Sequence, residues 1–385
     1  MLFKILVCTI STVFVLFHLG LVMGLILERF RGLAAMRKAT VETSGIRRPL
    51  VSVIIPARNE ASRIEILLQS LRNQDYPALE IIFINDRSTD LTSDLLSSFK
   101  ASMPPGRVRV LDLESNPGPN FKQYALSQGL EVATGEYYLF TDADCEVSPA
   151  WVRSMAGRLS DSTTGLVIAP VYKRMEGKRF FDQYQAFDHI IRYVYLAGAT
   201  GLGIAAGGFG NNLIFKKSAL DAIGGYAAVP YSVTEDAALI SLIRTSTSYK
   251  IRAALDTDCS VLTQGESSWS QLVSQCLRWN NGGLFAPDIA TRLGFGSLMI
   301  FISLGIVALP LLLFIPVLWP LSVAVYISIT VGSLAAFSFA RKNMPAPYIR
   351  YVPLVIFTPI FFAVLTVLGY AGVRVRWKDA TLQKK

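Results

Sequence analysis

The chain has 385 residues, of which 52% are hydrophobic and 17% charged, with a formal net charge of +9. That balance is too apolar for an ordinary soluble protein, and the length fits one soluble domain plus membrane segments. Basic residues cluster beside apolar runs and no nucleic-acid-binding motif is present, so the charge reads as a topology determinant and a contact for anionic lipid, with no nucleic acid as partner. The four cysteines, Cys8, Cys145, Cys259 and Cys276, have no CxxC or regular spacing and suggest neither a disulfide framework nor a zinc site.

Residues 5–27 form an apolar run long enough to cross a hydrocarbon core. The run is longer than the core of a cleaved signal peptide, and its far flank carries Arg29, Arg31, Arg37, Lys38, Arg47 and Arg48. Positive flanks stay cytosolic, so it reads as an uncleaved anchor with the following domain in the cytosol. Apolar, β-branched residues at 51–55 predict a buried strand that stops at Pro56. Ile64, Leu67, Leu68 and Leu71 then share one face of a helix over 61–72. A second strand is expected over 80–85, a helix over 92–99, a third strand over 108–111, a helix over 121–133 and a fourth strand over 137–140. Strands alternating with helices predict a doubly wound α/β sheet, which binds ligands at the carboxyl ends of its strands. Phe180, Phe181, Tyr184, Phe187, Ile191 and Tyr195 are spaced for a helix lying on the membrane or on the domain, with His189 a packed surface histidine.

Past Asp288 the chain turns apolar again. Residues 296–340 are long enough for two spans, with a turn at Pro316 and Trp319-Pro320, and 351–373 for a third. The expected organisation is an anchor at 1–28, a basic linker at 29–49, a soluble domain at 50–290, membrane segments at 291–375 and a basic tail at 376–385. Three spans after a cytosolic domain put the C-terminus outside, whereas Arg374, Arg376, Lys378, Lys384 and Lys385 favour the inside. Either one segment is re-entrant or the basic tail is tolerated outside.

Each acidic cluster follows an apolar strand: Asn85 to Asp90 the second, Asp142 and Asp144 the fourth. Carboxylates two apart at a strand's end can share a divalent cation with a phosphate-bearing ligand. A sugar-nucleotide donor needs that cation because its departing diphosphate accumulates negative charge. A single Asp at a strand end is commonly a helix cap or turn residue. That plain reading is preferred for Asp90, and the functional one for Asp142 and Asp144.

Five segments in order, VSVIIPARNE at 51–60, NDRSTD at 85–90, DAD at 142–144, TED at 234–236 and QCLRW at 275–279, resemble a family 2 glycosyltransferase of the GT-A fold. The resemblance implies a doubly wound mixed sheet, flanked here by N-terminal and C-terminal transmembrane helices. It implies that Pro56, Ala57, Asn59 and Glu60 line the nucleoside pocket, with Asp86 near the base or ribose. Asn85 stands where the first of two acids is usual, and Arg87 where Gly is usual, a difference at the ribose end. Lys122 matches the family's lysine in the loop before the third helix. Asp142 would approach the ribose and diphosphate, and Asp144 would bind Mn²⁺ or Mg²⁺, with Asp142 beside it. Asp236 would be the general base that accepts the acceptor hydroxyl's proton. Glu235 would point elsewhere, and capping or pairing with a nearby base is weighed equally with a catalytic role. The loop at 207–212 resembles the small-residue loop before the acceptor site. Asn212 is read there as a substrate contact, and Gly207 and Gly208 also fit a plain flexible loop. Gln275, Arg278 and Trp279 look like the QxxRW motif, with Arg for the diphosphate and Trp for a sugar face. As bare residues they equally suit an interfacial amphipathic segment.

Three functions remain open. One is transfer of a single sugar from a nucleotide-sugar donor, a UDP-sugar, to a membrane lipid or lipid-linked acceptor. Another is a processive polysaccharide synthase, and the third a catalytically silent nucleotide-sugar-binding subunit. Asp144 and Asp236 together argue against silence, and four candidate spans are few for an export channel. The expectation is therefore an inverting, metal-dependent transferase, integral to the inner or cell membrane through its lipid-bilayer spans, with a cytosolic catalytic domain.

Overall fold

A computed structural model describes residues 1–385 except 42–47, 175, 176, 178, 287, 342, 343, 345, 374, 378, 379 and 383–385. Arg47, Arg374, Lys378, Lys384 and Lys385, part of the topology argument, lie outside the described residues. In chain order the elements are α1 (Leu2–Val41), β1 (Val51–Ala57), α2 (Ile64–Arg72), β2 (Leu79–Asp86), α3 (Thr92–Ser102), β3 (Val108–Leu113), α4 (Phe121–Val132), β4 (Tyr137–Phe140), β5 (Cys145–Val147), α5 (Trp151–Arg158), β6 (Thr164–Ile168) and β7 (Val171–Lys173). There follow α6 (Phe180–Gly201), β8 (Leu213–Lys216), α7 (Lys217–Asp221), α8 (Glu235–Ser246), β9 (Lys250–Ala253), β10 (Val261–Thr263) and α9 (Trp269–Leu284). Then come α10 (Ile289–Leu311), α11 (Trp319–Phe339), α12 (Val352–Tyr370) and the antiparallel pair β11 (Val375–Trp377) and β12 (Ala380–Leu382). Two units divide it: Leu27–Arg174 with Gly207–Gln264, and Met1–Ile26 with Met175–Ala206 and Gly265–Lys385.

The first unit is an α/β structure around a seven-stranded mixed sheet of order β3-β2-β1-β4-β8-β6-β9. β1 runs parallel to β2 and β4, and β2 parallel to β3, while β8 is antiparallel to β4 and β6. All eight residues of β2 are buried, with an apolar run at Ile81–Ile84 and polar residues, Glu80, Asn85 and Asp86, toward its ends. The chain order reverses at β1, so the carboxyl ends of β1, β2 and β4 border the crevice where such sheets take ligands. A smaller sheet, β5-β10-β7, carries the continuation of β4. α2 buries the four predicted residues Ile64, Leu67, Leu68 and Leu71.

One boundary departs from expectation, because β1 runs through Pro56 to Ala57. The ladder to β4 ends at Ile54, whose carbonyl accepts from Thr141 N at 3.4 Å. Pro56, two residues on, turns its donorless nitrogen to that same side, where no strand follows, and stays in register with Ile84 of β2.

In the second unit the apolar runs are helices. Among the described residues, four stretches, Leu2–Ala34, Ile289–Leu311, Pro316–Phe339 and Tyr348–Tyr370, are long and apolar enough to cross a membrane. The two spans expected over 296–340 are α10 and α11, joined by a 3₁₀ turn at Pro316–Leu318. No Cβ fits at Gly24, Gly198 or Gly201, so the backbones of α1 and α6 touch. The segment expected around Phe180 is the 22-residue helix α6, and His189 on it is buried rather than at the surface. The helix of α1 continues through residues 29–41, the stretch read as a linker.

Candidate active site

After Phe140 the chain turns into β5, with Cys145 N bonded to Asp142 O at 3.3 Å. This turn presents Asp142 and Asp144, both half-buried. Asp142 Oδ1 lies 2.6 Å from Lys122 Nζ, and the same ammonium is 3.6 Å from Glu235 Oε1. Asp144 has only neutral partners among these contacts. Its Oδ2 accepts from the Thr263 hydroxyl of β10 at 3.2 Å, and its Oδ1 lies 3.6 Å from the Cys145 thiol.

Lys122 is the second residue of α4, and its side chain is only 13% exposed. Burial works against its ammonium, but Asp142 and Glu235, with Asp236 behind them, hold its pKa above the ordinary lysine value. Asn120 caps this helix. Its side-chain oxygen accepts from Lys122 N and Gln123 N, and its amide donates to Ser232 O at 2.9 Å and Glu235 Oε2 at 3.3 Å. One Asn therefore ties the start of α4 to the start of α8. Glu235 and Asp236 stand in the first turn of α8, where the helix dipole favours negative charge. Glu235 is buried and committed to Lys122 and Asn120, which is the pairing role. Asp236 is the half-buried member of the two.

The glycine loop packs onto this pair. A Cβ on Gly210 would sit 3.2 Å from Glu235 Oε1 and 3.4 Å from Asp236 Cβ, so a side chain there would crowd both acids. Gly208 is packed too, against Ile168 and Ile240, and the loop is not a loose one. Asn212 corrects the expectation of a substrate contact. It is fully buried; its amide donates to Pro170 O at 2.8 Å and Cys259 O at 2.9 Å, and its side-chain oxygen accepts from Trp151 Nε1 at 3.1 Å. Such a saturated amide is a structural peg. Its neighbour Asn211 is the half-buried one, donating to Cys145 Sγ at 3.6 Å beside Asp144.

The other predicted residues gather at the ends of β1 and β2. Ala57 is buried and Pro56 half-buried. Asn59 has a left-handed backbone at φ 54; its Oδ1 accepts from Thr89 N at 2.8 Å, and its own N donates to Ser88 Oγ at 3.0 Å. The Glu60 N donates to Thr92 Oγ1 at 2.9 Å, so the two loops are stitched together. Asp86 is only 4% exposed, with Oδ1 accepting from Arg87 Nε at 2.8 Å and Oδ2 from Asn116 Nδ2 at 3.0 Å. Asn85 donates to Asp112 Oδ1 at 2.7 Å. Arg87 has φ 55, the backbone a glycine takes freely, and holding a side chain there costs about 1–2 kcal/mol. Asp90 behaves as the plain reading has it, accepting from Ala61 N, Thr92 N and the Thr92 hydroxyl at the start of α3.

Gln275, Arg278 and Trp279 lie on α9, in the helical unit. Gln275 donates to Glu266 Oε1 at 2.6 Å. The Arg192 guanidinium sits 5.4 Å from the Trp279 ring centroid, and His189 meets that ring edge-on at 5.1 Å. Arg192 is itself ion-paired with the buried Asp188 at 2.7 Å. Sequence reasoning missed Asn116, Asn120, Asn211, Thr263 and Arg192. Only Asn120 left a signal, as an Asn just before a helix.

Among the described residues no three His, Cys, Asp or Glu side chains gather to hold a metal ion by themselves. Asp142 and Asp144 nonetheless fit a hard cation that takes one or two carboxylates and completes its shell with phosphate oxygens and water. Neither carboxylate is saturated, unlike Asp86.

A family model described as glycosyl transferase family 21 matches residues 8–384. The curated relatives include an uncharacterized glycosyltransferase, YibD, of Escherichia coli (strain K12), 39% identical over 105 residues, 27% of this chain and 29% of that one. The β-monoglucosyldiacylglycerol synthase of Nostoc sp. (strain PCC 7120 / SAG 25.82 / UTEX 2576) is 25% identical over 241 residues, 61% of this chain and 49% of that one. The chain thus spans less than half the length of these relatives. Among solved structures, the mannosyltransferase PcManGT of Pyrobaculum calidifontis, in complex with GDP-Man and Mn²⁺, matches with a TM-score of 0.55 and 19% identity, over 97% of this chain and 100% of that one. That likeness shows the GT-A fold. The resemblance to family 2 therefore holds at the level of a GT-A glycosyltransferase, and the family whose model matches is 21.

Proposed function

The chain belongs to glycosyl transferase family 21, and from that premise we propose that it moves a sugar, with inversion, from a UDP-sugar to a hydroxyl of a membrane lipid or lipid-linked acceptor. The observation that carries this reading is Lys122, whose ammonium draws Asp142 of the DxD segment and Glu235 of the TED segment into one cluster. That cluster lies beyond the carboxyl end of β4, beside the strand where the sheet order reverses.

Roles follow from what each group has left to offer. Asp142 and Glu235, the latter held by Asn120, fix the Lys122 ammonium, a buried positive charge suited to a diphosphate. Asp142 and Asp144 would hold Mn²⁺ or Mg²⁺, which supplies Lewis-acid stabilisation of the leaving diphosphate when bound. Asp236, less buried than Glu235, takes the proton of the acceptor hydroxyl as it attacks the anomeric carbon from the face opposite the leaving group. Pro56, Ala57, Asn59, Glu60 and Asp86 frame the nucleoside end, and the resemblance to the QxxRW motif gives Arg278 and Trp279 the roles of diphosphate and acceptor contacts. The apolar helices and a relative named as a glycolipid synthase support a membrane-resident acceptor. Extracting a long acyl or isoprenoid chain into water would cost about 0.8 kcal/mol per CH₂.

The test is transfer from a panel of nucleotide sugars to total membrane lipid and to soluble sugars, by the wild type and by Asp236→Asn. The variant should lose turnover and keep donor affinity by calorimetry. Loss of affinity together with rate would make Asp236 a binding residue, and product only from soluble sugars would remove the lipid acceptor. Orientation is tested separately. A lone cysteine at the exposed Ser97 should resist an impermeant thiol reagent in intact cells and react after lysis.

A further inference from the structure

We propose that Arg87 reads the nucleobase of the donor, favouring bases whose edge presents a carbonyl oxygen, uracil or guanine, over the amino-edged cytosine and adenine. The proposal rests on the donor-binding reading above and adds the residue that selects among donors.

Asp86 is poorly placed to do the reading itself. It is almost wholly buried, and both its oxygens are taken, one by Arg87 Nε and the other by Asn116 Nδ2. Arg87 is the accessible member of that pair, its side chain 30% exposed against 6% for Asp86. Its Nε is committed to Asp86, and among the described residues its two Nη groups make no hydrogen bond. Nη2 is buried without a partner, a state that native structures avoid unless something else satisfies the group. A guanidinium anchored at Nε is a rigid, planar fork with its remaining donors directed away from the anchor.

Two further features fix that fork. The Phe121 ring lies under it at 5.0 Å, and Arg58 meets the same ring at 5.5 Å. A cation on an aromatic face is held flat against it. The backbone of Arg87 is left-handed at φ 55, where glycine would sit without strain. An outlier of this kind, held by an ion pair and a ring at the carboxyl end of β2, is the sort that marks a ligand contact. The Arg87 donors complement acceptors. Uracil offers O4 and guanine O6 with N7, whereas cytosine and adenine present amino donors at the corresponding edge.

The test is calorimetric binding of UDP, GDP, CDP and ADP to full-length protein in detergent with Mg²⁺, for the wild type, Arg87→Gly and Arg87→Lys. Arg87→Gly relieves the strain at φ 55 but leaves the buried Asp86 with Asn116 alone, so it should melt below the wild type; binding is read well below both melting temperatures, where a loss of affinity is not a loss of folded protein. The wild type should bind UDP, GDP or both at least about tenfold more tightly than CDP and ADP, as one charged hydrogen bond provides. Arg87→Gly should bring all four within about twofold of each other, with Arg87→Lys between. Wild-type binding without discrimination, or discrimination that survives in Arg87→Gly, overturns the assignment and leaves donor binding standing. Failure of the wild type to bind any of the four overturns the donor reading along with it.

Discussion

The loop after β2 and the turn after β4 are close counterparts. Both follow buried parallel strands on either side of β1, both carry two aspartates, and both lie at carboxyl ends of strands, where such sheets take ligands. Their acids meet opposite fates. In the β2 loop each carboxylate is saturated: Asp86 by Arg87 and Asn116, Asp90 by Ala61 N, Thr92 N and the Thr92 hydroxyl. In the β4 turn Asp142 has a single lysine, and Asp144 a hydroxyl and a distant thiol. Acidity at a strand end is therefore not the mark of a reactive site. What separates the two loops is how much of each carboxylate the protein has already used.

The largest effect expected from this contrast is at Asp144. Asp144→Asn removes a charge that only a neutral hydroxyl and thiol accompany, so the fold should tolerate it. Turnover should fall by roughly a thousandfold or more, the scale of several kcal/mol of lost charge stabilisation. Excess chelator should do the same to the wild type. Full transferase activity in chelator would mean that the β4 turn is as inert as the β2 loop.

Lys122→Met comes next. Lys122 joins Asp142 to the buried Glu235, and removing one partner of a buried pair costs about 3–5 kcal/mol. Both stability and activity should fall, activity by about a hundredfold through the loss of a charged contact to diphosphate. The double variant Lys122→Met with Glu235→Gln separates the two effects, since it should regain stability and not activity. Recovery of both would reduce Lys122 to a structural ion pair. Asn120→Ala should be milder, losing about 1 kcal/mol of helix capping and roughly tenfold in kcat/KM as Lys122 loosens. An unchanged kcat/KM with lowered stability would confine Asn120 to its capping role.

These residues also show how far the chain was readable beforehand. The strands announced themselves because a parallel strand covered on both faces is apolar along its middle, as β2 is at Ile81–Ile84. The spans did so for a similar reason, and the DxD and TED acids through their place after strand and before helix. Partners were invisible. Asn120 bonds to Ser232 and Glu235 across more than a hundred residues of sequence, and no local spacing encodes that pairing. Asn212, read as a substrate contact, packs inward instead for a related reason. Adjacent residues point to opposite sides as the loop enters β8, and burial against Trp151 and Pro170 decides which one packs inward. Arg87 looked like a substitution for glycine; the structure adds that it kept glycine's backbone.

The smallest effect should be at Asp90, where the comparison is sharpest because the charge change equals that of Asp144→Asn. Burial opposes ionisation of Asp90, but bonds from the Thr92 hydroxyl, Ala61 N and Thr92 N outweigh it and hold its pKa below the usual carboxylate value. A carboxyl whose folded pKa lies below its unfolded pKa of about 3.9 adds stability above that value and loses it as pH falls through the folded pKa. Asp90 is exposed, so solvent screening keeps the contribution under about 1 kcal/mol. Asp90→Asn should therefore melt slightly lower at neutral pH, with the difference from wild type shrinking below about pH 4. Its kcat/KM should stay within about twofold of wild type, since a turn residue touches no reacting atom. Melting curves in detergent between neutral and acid pH, beside rates at neutral pH, read both quantities. A hundredfold loss of rate with an unchanged melting curve would show that saturation does not protect a strand-end carboxylate from a catalytic role, and the distinction between the two loops would fail.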